Sequence, residues 1–130
     1  MKKTEVQRVW WIKDYCIKMQ ATINRFGNNF DNFCFDNVYY NSTLFNLIQI
    51  SEVSIKLANE YKCLYNNFIK WKELEEIAVK VKCDLHTEDR SLIWEIITIQ
   101  VPILLKYCEK IIEDNKSDFV DNTIDLTKYN

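Results

Sequence analysis

The stretch WKELEEIAVKVKCDLHTEDRSLIW, residues 71–94, predicts two helices joined by a polar connection. Its first half repeats apolar residues at helical spacing, and charged residues between them form a solvated face. The apolar residues are Trp71, Leu74, Ile77, Ala78 and Val81. Asp89 then precedes the apolar run that begins at Leu92, where its carboxylate is suited to cap a helix N-terminus. Two helices arranged in this way are typical of a helical bundle.

Composition extends the same expectation to the whole chain. The 130 residues are 48% apolar and 14% aromatic, which suffices for one domain with a single core. Only one Gly and one Pro are present, so long helices are favoured over many short strands. We therefore predict an all-α fold, an up-down bundle of four to five helices formed by residues 1–114, with residues 115–130 as a polar C-terminal tail.

The N-terminal half of the chain divides at its only glycine. A helix is predicted from Thr4 to about Arg25 and ends at Gly27, because glycine commonly closes helices. Its apolar stripe consists of Val9, Ile12, Cys16, Met19 and Ile23. Residues 30–40 alternate aromatic side chains with Asp and Asn, which suits a short helix or an ordered loop that closes one end of the bundle.

A second long helix is predicted from a cap at Asn41 or Ser42 to about Tyr61. Its apolar surface is wider than one stripe, so either this helix is central in the bundle or one of its sides meets another subunit. The last helix is predicted from Leu92 to about Ile112, with Pro102 causing a kink or a local break.

The charge balance and the cysteines indicate which partners and which cellular compartment to expect. The 17 basic and 19 acidic residues give a net charge of −2, without the basic excess of proteins that grip nucleic acid non-specifically. Five cysteines are spread along the chain without a secretory pattern before them, so we expect reduced thiols. The apolar run of the last helix is interrupted by charges, and we expect a soluble, cytoplasmic protein without a membrane partner.

Three segments together resemble the HepT-like branch of the HEPN family. They are Ile50-Ser51-Glu52-Val53, Trp71-Lys72-Glu73-Leu74, and Asp89 followed by Ile93-Trp94-Glu95-Ile96-Ile97 and Pro102. That branch typically reads IGEA on a central helix, W-x-x-I before its catalytic motif, and D…VWEII with a later proline. The order of the segments is the same here, and the resemblance covers residues up to about Ile112.

The side chains that carry the family's chemistry are replaced. The family's motif is an Arg, usually followed by Asn, with a His five positions after the Arg and a Tyr two positions after the His. With the spacing from Trp71 to Trp94 kept, these fall on Ala78, Val79, Cys83 and Leu85. Asp84 alone keeps its usual identity. Cys83 has the chemistry of a nucleophile or base if its pKa is lowered, and of buried filler otherwise.

The resemblance implies metal-independent RNA cleavage at a homodimer cleft, with a nucleotidyltransferase of the MNT type as antitoxin partner and no cofactor. Such cleavage needs a group that titrates near neutrality and a cationic donor. Because Ala78 supplies neither, our leading hypothesis is a non-catalytic, partner-binding member of a toxin–antitoxin system. The partner's usual target, the motif tyrosine, is Leu85 in this chain.

A displaced site is the alternative, in which the chain remains a ribonuclease toxin. Lys80 or Lys82 would contact phosphate, and His86 beside Asp84 would transfer the proton. If no such site exists, we expect His86 to be an exposed turn residue before the last helix. Cys83 and His86 also have a C-x-x-H spacing, but two ligands do not make a structural zinc site, so we predict no metal. A third hypothesis is a helical adaptor unrelated to toxins.

Overall fold

The computed structural model describes residues 1–64, 68–83 and 89–116, with Lys82 and Cys83 described by their backbone alone. Six helices lie in these ranges. They are α1 (Lys3–Phe26), α2 (Phe30–Phe35), α3 (Asn37–Lys56), α4 (Asn59–Lys62), α5 (Trp71–Cys83) and α6 (Arg90–Asp114). The described ranges contain no strand, and the predicted all-α bundle is confirmed.

The four long helices run alternately up and down. α1 packs against α3 and α6, and α3 also packs against α5. Phe26 at the end of α1 stacks on Tyr39 at the start of α3, with ring centroids 5.0 Å apart. Trp71 at the start of α5 contacts Tyr107 near the end of α6, at 5.3 Å. Sequential long helices are therefore antiparallel, as short connections between bundle helices require.

α1 follows its predicted bounds to within one residue at each end, and its apolar stripe is buried as expected. The buried apolar side chains are Val6, Val9, Ile12, Cys16, Met19 and Ile23. Gly27 ends the helix with a φ of 104°, a conformation that favours glycine, and its N–H donates to the carbonyl of Ile23 at 2.8 Å. Tyr39 then donates its hydroxyl to the Gly27 carbonyl at 2.9 Å, which fixes α3 beside this turn.

An aromatic cluster fills the end of the bundle where α1 stops and α3 and α6 begin. The cluster consists of Phe26, Phe30, Phe33, Tyr39, Tyr40 and Trp94. Phe33 of α2 is fully buried, with its ring 5.4 Å from that of Tyr39 and 5.2 Å from that of Trp94. For residues 30–40 the sequence predicted a short helix or an ordered loop. The structure has the short helix α2 there, whose rings close this end of the bundle, and residues 37–40 already belong to α3.

The predicted start and end of the second long helix were wrong. α3 begins at Asn37 because Asp36 caps it, accepting hydrogen bonds from the N–H groups of Val38 and Tyr39 at 2.9 and 3.2 Å. The helix ends at Lys56 because Leu57 is extended, with φ −68° and ψ 133°. A separate short helix, α4, follows.

α6 is capped by Asp89 as predicted, with the Leu92 N–H 3.2 Å from the Asp89 carboxylate. Pro102 does not end the helix. A π-helical segment, Ile96–Gln100, precedes the proline, and the N–H of Val101 donates to the carbonyl of Ile96, five residues earlier. A proline ring clashes with the carbonyl four residues before it in a regular helix, and a wider turn relieves this conflict at Thr98. The predicted irregularity thus takes the form of a π turn.

One helix in the described part of the chain is long and apolar enough to cross a membrane by length and composition. It is α6, whose most apolar 18-residue window has a mean hydropathy of 1.4 and is 39% buried in the bundle. Core helices of bundles meet the same criterion. α6 packs on α1 through buried residues that include Leu104, Cys108 and Ile111.

α6 ends at Asp114, and the predicted boundary between the helical domain and the tail stays a prediction. Of the predicted tail, 115–130, the structure describes only Asn115 and Lys116. The N–H of Asn115 donates to the carbonyl of Ile111 at 3.0 Å and so completes the last turn. Residues 117–130 lie outside the described residues.

Candidate functional site

The position that the resemblance assigns to the family's arginine lies in the contact between α5 and α3. Ala78 is 2% exposed, and its backbone N–H donates to the hydroxyl oxygen of Ser51 at 3.1 Å. The same hydroxyl donates to the carbonyl of Glu75 at 3.1 Å, so one serine of α3 serves two backbone groups of α5. The Ala78 methyl group packs inward and has no atom that binds phosphate or transfers a proton.

The next position faces outward. Val79 is 54% exposed, and it presents an apolar side chain where the family pattern has an amide. Adjacent residues of a helix differ by about 100° in direction, which explains why Ala78 and Val79 have opposite environments. This stretch of α5 therefore offers neither a donor nor a titratable group at the first two motif positions.

Lys80 lies on the solvated face of α5, as predicted for that residue. Its ammonium is exposed and lies 3.7 Å from the carboxylate of Glu76, one turn earlier. Positions 80 and 82 are about 200° apart around the helix axis. The structure therefore does not bring these two backbone positions to one face of α5.

The remaining members of the predicted sites are less fully placed. Lys82 and Cys83 belong to the last turn of α5. Asp84, Leu85 and His86 lie outside the described residues, so the displaced ribonuclease site stays a prediction. Within the ranges that the structure describes, no group of three or more His, Cys, Asp or Glu side chains has the arrangement of a metal site.

A polar cluster that the sequence did not predict joins α4, α5 and α6. The buried ammonium of Lys62 forms a salt bridge with Glu75, and the indole N–H of Trp71 donates to the Lys62 carbonyl at 2.9 Å. The Tyr107 hydroxyl donates to the Tyr61 carbonyl in the same region. This cluster fixes the first turn of α5 against the end of α6.

A second polar contact fastens the start of α5 to the π segment. The side-chain oxygen of Gln100 accepts a hydrogen bond from the backbone N–H of Lys70 at 3.0 Å. Gln100 is itself buried, so this bond satisfies a polar group that would otherwise be costly in the core. In the sequence, the one signal for Gln100 was that a polar residue interrupts the apolar run between Leu92 and Ile112.

The described cysteines are free thiols, and two of them are buried. Burial raises the pKa of the Cys16 thiol well above its ordinary value, and burial raises that of Cys108 in the same way, with the nearby Cys16 thiol adding to the shift. Because the reactive form of cysteine is the thiolate, both side chains are inert filler between α1 and α6. Neither supplies a nucleophile.

One cleft lies beside the π turn, between α1 and α6. It is lined by Gln20, Asn24, Asn28, Thr98 and Pro102, with Ile23 and Ile97 as its apolar floor. Its volume of about 220 Å³ is below the range of about 300–1,000 Å³ that is usual for small-molecule sites. The lining has no ionisable side chain, so the cleft does not qualify as a catalytic site.

Comparison with known proteins returned no relative of this chain: no protein-family model, no curated protein and no solved structure matches it.

Proposed function

We propose that this protein acts by binding and not by catalysis, as a HepT-like HEPN homodimer that pairs with a nucleotidyltransferase of the MNT type. The observation that carries the proposal is the environment of Ala78. RNA cleavage without a metal needs a cation at the developing charge and a group that titrates near neutrality. A buried methyl group whose N–H is engaged by Ser51 contributes neither.

The packing around Ala78 supports the same view. The Ser51 hydroxyl occupies the space next to the Ala78 backbone and also binds the Glu75 carbonyl. An arginine at position 78 would bring a charged side chain into this contact, where burial of an unpaired charge is strongly unfavourable. The sequence around position 78 is thus adapted to close helix packing.

Exposed apolar side chains on α3 also favour a binding role. Val38 and Phe45 are 63% and 60% exposed, although large apolar residues are usually buried in a small bundle. Val38 and Phe45 are seven residues apart and so lie on the same side of α3, and apolar surface grouped on one side is typical of protein interaction surfaces. A chain that lacks the family's catalytic groups and presents such a surface is best explained as a partner-binding protein.

The proposal is tested by two assays on the purified full-length chain. The first mixes the protein with an MNT-type nucleotidyltransferase and measures complex formation by light scattering. The second incubates RNA with the wild type and with His86→Ala in EDTA, which excludes contaminating metal-dependent nucleases. We expect a complex in the first assay and intact RNA in the second.

The outcomes separate the competing functions. Cleavage by the wild type that is lost in His86→Ala would overturn the non-catalytic proposal in favour of the displaced site, in which Lys80 or Lys82 acts with Asp84 and His86. Intact RNA without any complex would instead leave a helical adaptor of another system. A complex with intact RNA is the only combination that supports the proposal.

A further inference from the structure

One side of α3, which is exposed except at the half-buried Ile48 and Glu52, carries a stripe of residues spaced like the seam of a coiled coil. The seam, as we call it, consists of Val38, Asn41, Phe45, Ile48, Glu52 and Ile55. Successive members are alternately three and four residues apart, which averages 3.5 residues and keeps them on one side of a helix that pairs with another. Four of the six are apolar.

The seam lies opposite the side of α3 that forms the core. Leu47, Ile50 and Ser54 are buried against neighbouring helices, whereas Val38, Phe45 and Ile55 are 63%, 60% and 50% exposed. α3 therefore has apolar residues on two sides. Of the apolar seam residues, Ile48 is half-buried and packs against the core, whereas the other three are exposed. The sequence left two explanations for this width, and the exposed side favours contact with another subunit.

The seam is complementary to itself when a second α3 runs antiparallel. A two-fold axis through the middle of the seam, between Phe45 and Ile48, sets Phe45 of each copy against Ile48 of the other. The same operation sets Val38 against Ile55 at both ends, and Asn41 against Glu52 between them. All apolar members thus meet apolar members, and the two polar members meet each other.

We propose that α3 is the dimer interface of this protein, formed with α3 of a second copy in this antiparallel register. The inference rests on the homodimer of the proposed function and identifies its surface. An isologous contact requires one patch to match itself, and the seam satisfies that condition at each of its six positions. A surface for an unrelated protein has no reason to have this symmetry.

Polar groups determine the register and direction. This alignment sets Asn41 of each copy beside Glu52 of the other and so forms two symmetric polar layers, and polar layers in an apolar seam are known to fix register. The antiparallel direction also places exposed Lys56, at the end of one helix, near Asp36, the cap of the other. The opposed helix dipoles add to this preference.

The first test compares the mass of the wild type with that of Phe45→Glu by light scattering over a series of protein concentrations. Phe45 is exposed, so the substitution leaves the core intact while it puts two carboxylates into the centre of the interface. We expect the dissociation constant of the dimer to rise at least about tenfold. Ile17→Glu is the matched control, because Ile17 is 46% exposed in the middle of α1, outside the seam.

The second test reads the direction of pairing. Val38→Glu and Ile55→Lys should each weaken the dimer, because each sets a charge against an apolar residue of the second copy. The double variant should recover dimerisation, because the antiparallel register then joins each Glu to a Lys of the other copy. Parallel pairing would instead set like charges together, and the double variant would be the weakest of the three.

These outcomes distinguish the interface from the proposed function. A dimer that persists unchanged in Phe45→Glu overturns the α3 interface and leaves the homodimer to another surface. A wild type that stays monomeric at all concentrations overturns both. A monomer whose complex with the nucleotidyltransferase is lost in Phe45→Glu would assign the seam to that partner and overturn the pairing of two copies.

Discussion

The hydroxyl oxygen of Ser51 lies 3.1 Å from the backbone nitrogen of Ala78 and joins two helices whose contact defines the candidate site. Ser51 is fully buried and also donates to the Glu75 carbonyl. A small side chain at position 51 lets α3 approach the backbone of α5 closely. A substitution of Ala78 therefore changes the packing of α5 on α3.

We expect an arginine to destabilise the fold at position 78 but not at position 79. We expect Ala78→Arg to lower the free energy of unfolding by about 3 kcal/mol or more, because the side chain brings an unpaired charge into the α3–α5 contact. Val79→Arg should change it by less than about 0.5 kcal/mol, since Val79 is exposed. Urea denaturation of both variants measures the difference, and equal stabilities would contradict the placement of Ala78.

We expect the salt bridge between Lys62 and Glu75 to stabilise the fold, although the charged Lys62 side chain is buried. In Glu75→Gln the buried ammonium of Lys62 loses its acidic partner, and we expect a loss of about 1–2 kcal/mol. This expected loss of stability is smaller than that for a fully buried pair, because the Glu75 side chain is 29% exposed and solvent screens its interaction with Lys62. Glu73→Gln is the control, since Glu73 pairs with exposed Lys70 at 3.7 Å. An equal effect of the two substitutions in chemical denaturation would disprove the distinction.

Thiol labelling should sort the described cysteines by burial. Cys63 is exposed and should react with iodoacetamide in the native protein, whereas Cys16 and Cys108 should react only after unfolding. Burial raises the pKa of both thiols, so the reactive thiolate is scarce there even in mildly alkaline buffer. Mass spectrometry of labelled peptides locates the modification, and Cys63→Ser should remove the rapid labelling of the peptide that contains residue 63. Native-state labelling of Cys16 at the rate of Cys63 would contradict the packing of α1 on α6.

Tyr39 should make the fold less stable in alkaline solution. Burial raises the pKa of its phenol in the folded protein, while in the unfolded chain the pKa stays near its ordinary value of about 10. Above that pH the folded state retains a proton that the unfolded state has lost, so the free energy of unfolding decreases as the pH rises. Tyr39→Phe should be less stable by about 1 kcal/mol at neutral pH, because it loses the bond to the Gly27 carbonyl, but its alkaline decline should be shallower. Parallel pH profiles for the two proteins would exclude this role.

The helical spacing of apolar residues predicted much of this fold, because helices and their ends depend on residues that are close in the sequence. The buried stripe of α1, the end at Gly27 and the cap at Asp89 all depend on residues within a few positions of one another. The start of α3 was missed for a local reason too. Asp36, Asn41 and Ser42 all have capping side chains, and the sequence alone does not say which of them meets free N–H groups.

The candidate site depends on distances that no local pattern contains. The apolar stripe of α5 predicted that Ala78 faces the core, but the bond of Ala78 to Ser51 joins residues 27 positions apart. The Lys62–Glu75 pair likewise needs the separate turn of α4, which was expected to be part of the preceding helix. The exposed seam was visible only as excess apolar width until the packing of α1 and α5 on α3 defined which side is covered.

The π turn before Pro102 gives α6 one residue more than a regular helix would have, while both of its halves still face the core. Buried residues are four positions apart across it, at Ile93, Ile97 and Val101, and then return to steps of three and four at Leu104 and Cys108. Because a π turn spreads one helical turn over an extra residue, deleting one residue from it would close it to a regular turn without rotating the second half out of the core. The cost would appear at Pro102, whose ring would again meet the carbonyl four residues before it, so the extra residue lets one helix contain a proline while both of its halves face the core.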